Sequence, residues 1–160
     1  MNRDNLPAGR PELEEAVRTG LRAFIARATV FNYQVAEHTG LNPTDLLFLG
    51  LLQLHGPLSA GALARATGLT TSATTTVIDR LERGGFATRE HDTADRRRVI
   101  VRLNQEAHDA KILPLYAAKA PGAASVLAGF SDEQLATVAA FLGALAAEET
   151  EESGATGATG

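Results

Sequence analysis

Two runs of residues stand out by type: the hydroxyls of Thr70, Thr71, Ser72, Thr74, Thr75 and Thr76, and the consecutive cations Arg96, Arg97 and Arg98. Hydroxyls donate to or accept from base edges and phosphates, while guanidinium groups match phosphate and guanine in a planar fork. The hydroxyl run does not suit an ordinary scaffold helix. Thr and Ser are unfavourable in a helix interior, because β-branching restricts rotamers and hydroxyls compete for backbone hydrogen bonds. An arginine run is ordinarily solvated surface. Their positions relative to the neighbouring elements make them candidates for recognition.

Thr70 stands in the N-cap position of a helix predicted from Thr71 to about Arg83, and Gly84 and Gly85 supply the left-handed conformation that ends helices. Val77, Ile78 and Leu81 fall on one face of it, and Thr71, Ser72, Thr75 and Thr76 fall towards another. Such a helix packs with one side and presents hydroxyls with the other. Ser59 opens a shorter helix before it, and Gly68 supplies the turn between the two. Residues 86–90 and 99–103 have the β-branched and aromatic content of paired strands. The polar turn formers His91, Asp92, Thr93, Ala94 and Asp95 join them, which puts the arginine run at or near the tip of a hairpin.

Charge is divided in the same way. From 59 to 103 eight arginines stand against five acids, a local net charge of +3, which leaves −7 on the rest of a chain whose total is −4. A basic reading head on an acidic body is expected of a DNA-binding protein, since only the contact face gains from counterion release.

From 63 to 103 the chain resembles the winged helix-turn-helix of the MarR family of bacterial transcriptional regulators. Asp79-Arg80-Leu81-Glu82-Arg83-Gly84-Gly85-Phe86 ends the recognition helix, and Asp95-Arg96-Arg97 matches the family's Asp-x-Arg signature in the wing. The resemblance extends more loosely over roughly 11–149. It implies that Ser72 and Thr75 face the major groove, that Arg97 reaches the minor groove, and that Asp95 braces the wing by pairing with an arginine. Position 76, often a long basic residue in the family, is Thr76 here. The candidate DNA contacts are Thr71, Ser72, Thr75, Thr76, Arg83, Arg96, Arg97 and Arg98.

The rest of the chain reads as helices that position this head. Leu13, Val17, Leu21, Phe24, Ile25, Ala28, Phe31 and Val35 recur at steps of three and four after Pro11, in a helix ending near Thr39-Gly40. Asn42 caps a second helix, with Pro43 in its first position and Leu46, Leu47, Leu49, Leu51, Leu52 and Leu54 largely buried, stopped by Gly56-Pro57. Asn104 caps a helix carrying Ile112, Leu113, Leu115 and Tyr116, which Pro114 bends or breaks, with Pro121-Gly122 a second weak point. Ser131-Asp132-Glu133-Gln134 forms a capping box for a last helix striped by Leu135, Val138, Phe141, Leu142 and Leu145.

The expected fold class is mainly α with a small β wing: a winged helix-turn-helix DNA-binding domain fused to a helical dimerisation layer. Residues 1–10 read as a flexible N-terminal arm and 11–149 as the MarR-like domain, with dimerisation helices at about 11–39 and 104–149 and the winged head at about 43–103. The acids and Gly-Ala-Thr repeats of 150–160 read as a disordered tail.

There is no phosphate loop, dinucleotide fingerprint or nucleophile elbow, so no enzyme is expected. The four histidines lack the close pairing of a metal motif, no cofactor is indicated, and the absence of cysteine excludes a thiol switch. No apolar stretch reaches the roughly 20 residues that span a bilayer, and Met1 to Arg10 lacks a signal peptide's apolar core; no membrane partner and a cytoplasmic location are expected. The resemblance implies a homodimeric repressor on a pseudo-palindromic operator in double-stranded DNA, released by a small aromatic effector for which Phe24, Phe31, Tyr33, Phe48 and Tyr116 are candidate pocket residues. The competing functions are a winged-helix protein-interaction module and an architectural DNA binder.

Overall fold

A computed structural model describes residues 9–91, 99–118 and 120–155. The chain divides into two compact units, 1–46 and 47–160. In the first, helix α1 (Arg10–Thr39) begins with Pro11 in its opening turn, where a missing amide costs nothing, and ends on Gly40 with φ 68°. Its N-terminal half is laced by charge pairs, with Arg10 Nε 2.8 Å from Glu14 and Arg22 Nη2 2.8 Å from Glu15. The expected apolar stripe forms, yet Phe24, Ile25, Val30 and Tyr33 are exposed in the single chain, and burial is confined to Val35 and Ala36 near the C-terminal end.

Helix α2 (Pro43–His55) starts in the first unit and continues into the second. Asn42 precedes its first turn, and the Asn42 amide donates to the Asp45 carboxylate at 2.9 Å. The helix is buried on one face only, instead of largely buried. Phe48, Leu49 and Leu52 are buried, whereas Leu47 and Leu54 face outward at 50% and 79% exposure.

The second unit continues through β1 (Leu58–Ser59), α3 (Ala60–Thr67), α4 (Thr71–Arg83), β2 (Ala87–His91) and β3 (Val99–Leu103). The sheet is antiparallel in the order β1-β3-β2, with Leu58 opposite Val101 and Arg89 also opposite Val101 from the other side. Strand β1 is an addition to the expected pair, and β2 starts one residue later than predicted, because Phe86 is buried in the turn after α4. Helix α3 packs on α4, and α4 packs on β2. Leu63, Ile78, Leu81 and Val101 are at or below 1% exposure, and burial on that scale contributes about 1.5–3 kcal/mol per large side chain.

Beyond the sheet, the single penultimate helix is replaced by three pieces, α5 (Gln105–Lys111), α6 (Leu113–Ala117) and α7 (Ala120–Leu127). Pro114 causes the first break: it occupies the opening turn of α6, the position that tolerates a missing amide. Pro121-Gly122, the second weak point, lies in the opening turn of α7. Helix α8 (Asp132–Ala155) opens on the expected capping box, with the Gln134 amide donating to Ser131 Oγ at 3.3 Å and the Ser131 amide to Gln134 Oε1 at 3.0 Å. It runs past 149, so the first part of the segment read as a disordered tail is helical. Val138, Phe141 and Leu142 of α8 are exposed in the single chain.

Candidate nucleic-acid interface

The helix-turn-helix is set by local hydrogen bonding. Ser59 Oγ accepts from the Ala62 amide at 3.1 Å to start α3, and Gly68, at φ 67°, ends it. Thr70 Oγ1 then accepts from the Ala73 amide at 3.3 Å and starts α4. These caps satisfy amides that a helix start leaves without partners. Helix α4 terminates through Gly84 in right-handed conformation and Gly85 at φ 74°, so only the second of the two glycines is left-handed.

Helix α4 separates its faces cleanly. Thr74, Val77, Ile78 and Leu81 are buried, and Thr71, Ser72, Thr75, Thr76 and Arg83 are exposed. Thr75 Oγ1 donates to Thr71 O at 2.9 Å and Thr76 Oγ1 to Ser72 O at 3.0 Å. These bonds to the carbonyl four residues back let hydroxyl residues occupy a helix interior. Arg83 Nε donates to Asp79 O at 3.2 Å at the C-terminal end of the same helix. Thr74 differs from its neighbours: it is 2% exposed, and its Oγ1 has no hydrogen-bond partner among the described residues.

Wing and recognition helix are joined by Arg89, a residue not singled out by the sequence. From β2 its guanidinium donates to the Asp79 and Glu82 carboxylates of α4, and its backbone amide donates to Glu82 Oε1 at 2.9 Å. Asp79 and Glu82 are one helical turn apart and so share a face, which lets one planar fork engage both. A signal was present in retrospect. Strand alternation puts Ala87 and Arg89 on the same face, and an arginine facing a core-side helix needs acids there. On the opposite face of the sheet, Arg102 pairs with Glu90 at 3.1 Å. Arg83, Arg89 and Arg102 are thus each engaged by groups within the head.

The turn that follows α4 is tied to the start of α5. Asn104 Oδ1 accepts from the Ala107 amide at 3.2 Å, capping α5, while its Nδ2 donates to Gly85 O at 2.8 Å. The Asn104 amide donates to Phe86 O at 2.9 Å, and the Lys111 ammonium sits 5.1 Å from the centre of the Phe86 ring. Candidate residues Asp95, Arg96, Arg97 and Arg98 lie outside the described residues.

A family model described as MarR family matches residues 39–98. The HTH-type transcriptional regulator YcgE of Bacillus subtilis (strain 168) is 34% identical over 134 residues, covering 84% of this chain and 86% of the relative. The chain belongs to the MarR family. The HTH-type transcriptional repressor MdtR of the same organism is 29% identical over 142 residues, covering 88% of this chain and 91% of its own. Among solved structures, a MarR family protein from Bacillus stearothermophilus superposes with a TM-score of 0.66 at 26% identity, over 89% of this chain and 99% of that one.

As a member of the MarR family the chain is a DNA-binding transcriptional regulator, which is not an enzyme class. Its mainly α architecture with a small β wing is that of MarR winged-helix structures. No described helix is long and apolar enough to cross a membrane. The described residues hold no cluster of three or more His, Cys, Asp or Glu side chains fit for a metal ion.

The aromatic positions do not behave alike. Phe48 is 0% exposed and belongs to the core, so it presents no ring to a ligand, while Phe24 and Tyr33 are exposed on α1 at 68% and 60%. Phe31 is half-buried, and Tyr116 is 39% exposed, with enough burial to push its phenol above the usual tyrosine range. An open cleft of about 270 Å³ in the second unit is lined by Leu52, Gln53, Pro57, Arg102, Leu103 and Gln105, with none of these aromatic residues.

Proposed function

We propose that two copies of this MarR family regulator bind a pseudo-palindromic operator, each setting α4 into a major groove and its wing arginines into the adjoining minor groove. The observation that carries this is the division of α4, with an apolar face buried and the hydroxyls of Thr71, Ser72, Thr75 and Thr76 exposed. The two helices would enter successive grooves about 34–36 Å apart. Exposed apolar side chains on α1 and α8 supply the surface for a dimer, and a stable one is expected to bury more than about 2,000 Å² in total. Repression is the proposed direction of control, supported by the likeness to a relative described as a transcriptional repressor. A small aromatic effector would release the operator by binding better to the form whose heads are wrongly spaced for consecutive grooves. The exposed Phe24 and Tyr33 are the first positions to test for its contact.

The test is selection of an operator with the purified full chain, followed by binding of two variants over a range of salt. Arg97→Ala is expected to weaken binding to all sequences and to reduce the salt slope by about one. Thr75→Ala is expected to lose on the order of 1 kcal/mol at a matched site while keeping the slope. If both folded variants bind as wild type does, the docking surface is wrong and a protein-interaction role takes its place. A stable monomer at micromolar concentration in sedimentation would remove the dimer.

A further inference from the structure

A threonine hydroxyl has one hydrogen to give and two lone pairs with which to accept. In α4 that hydrogen is already used at two exposed positions, since Thr75 Oγ1 donates to Thr71 O and Thr76 Oγ1 to Ser72 O, at 2.9 and 3.0 Å. What these residues offer outward is an oxygen that can only accept, together with a methyl group. The exposed face from Thr71 to Thr76 contains no lysine or arginine, so no cation there supplies the missing donors.

The major groove distinguishes such a surface. Cytosine presents the N4 amino group and adenine the N6 amino group, thymine presents its C5 methyl, and guanine presents only the acceptors N7 and O6. An accepting hydroxyl pairs with the amino groups, and a methyl packs on the thymine methyl. Guanine finds no donor on Thr75 or Thr76 unless that threonine gives up its bond to the helix. We infer that Thr75 and Thr76 determine specificity, favouring thymine methyls and the amino groups of adenine and cytosine over guanine at the base edges they face. This rests on the docking of α4 proposed above.

The experiment uses the full chain and its selected operator, with single bases altered by one group. Replacing a contacted thymine by uracil, which removes only the methyl, is expected to weaken wild-type binding about fourfold. That dependence should vanish in Thr75→Ser or Thr76→Ser, which keep the hydroxyl and lose the methyl. Equally supportive is a loss on replacing adenine by purine that disappears in Thr75→Ala or Thr76→Ala. The inference is overturned if neither pattern occurs, or if the altered group that matters is guanine N7, shown by a 7-deazaguanine effect abolished in an alanine variant. Failure of the underlying docking looks different: both alanine variants would then bind the operator as tightly as wild type, with every base dependence intact.

Discussion

Arg89 Nη2 lies 2.5 Å from Asp79 Oδ1, so a side chain from the wing strand ends on the recognition helix. The same guanidinium engages Glu82, and the three side chains are between 29% and 48% exposed. Charge alone does not require this arrangement; the planar fork does, because it reaches two carboxylates at once. Arg89→Lys is therefore expected to weaken operator binding several-fold, and Arg89→Gln more strongly, with an unchanged salt slope because the guanidinium is occupied by Asp79 and Glu82. Thermal stability should fall by about 1 kcal/mol in either variant. Wild-type affinity in Arg89→Lys would show that the charge suffices and the fork does not matter.

Asn104 has two separable duties, since Oδ1 caps α5 and Nδ2 holds Gly85 O. Asn104→Asp keeps the acceptor and loses the donor, whereas Asn104→Ala loses both. Costs of about 1 kcal/mol and about 2 kcal/mol are expected respectively, from chemical denaturation at fixed protein concentration. Equal costs would mean that the cap contributes nothing.

The buried hydroxyl of Thr74 has no described partner, and Thr74→Val replaces it with a methyl of similar shape. Such a change removes an unsatisfied polar group from the core and should stabilise the protein by about 1 kcal/mol. Operator affinity should not change, because the side chain faces the core and not the groove. A drop in melting temperature would indicate that the hydroxyl finds a partner in solution.

On α1, the guanidinium groups of Arg18 and Arg22, with the Thr19 hydroxyl, hold the Glu15 carboxyl at about 2, well below its ordinary 4.5. A depressed carboxylate contributes its full share of stability above pH 4.5 and loses it as pH falls towards about 2. A side-chain NMR titration should place the Glu15 midpoint in that lower region. Raising the salt should return it towards the ordinary value, since the group is fully exposed to screening.

The features legible in the sequence were those with local causes. Ser59, Thr70, Asn104 and the Ser131–Gln134 pair mark helix starts because each cap is a bond between residues three apart, and Gly40 and Gly68 mark stops because the left-handed turn is made within the chain nearby. The hydroxyl face of α4 was legible for the same reason: helical spacing alone separates it from Val77, Ile78 and Leu81. What escaped depends on distant partners. Strand β1 is two residues long and has no periodicity of its own; it exists because β3 offers it an edge. The Arg89 bridge spans ten residues to Asp79. The outward Leu47 and Leu54 of α2 carry the same chemistry as the buried Leu49 and Leu52, so composition could not separate them.

The pairing of β1 with β3 has a consequence for how such a protein changes over generations. Leu58 lies beside Val101 and Ser59 beside Ile100 in antiparallel register, so the polypeptide comes into the reading head and leaves it on neighbouring strands, about 4.8 Å apart. Everything between is a closed excursion whose two ends meet. That is the arrangement in which a stretch of chain can be exchanged as a cassette, because the flanking helices have only one interstrand spacing to bridge whatever the excursion contains. Recombination at residues 58 and 101 would thus replace the recognition helix and wing together, changing the sequence that is read without asking the flanking chain to find a new path.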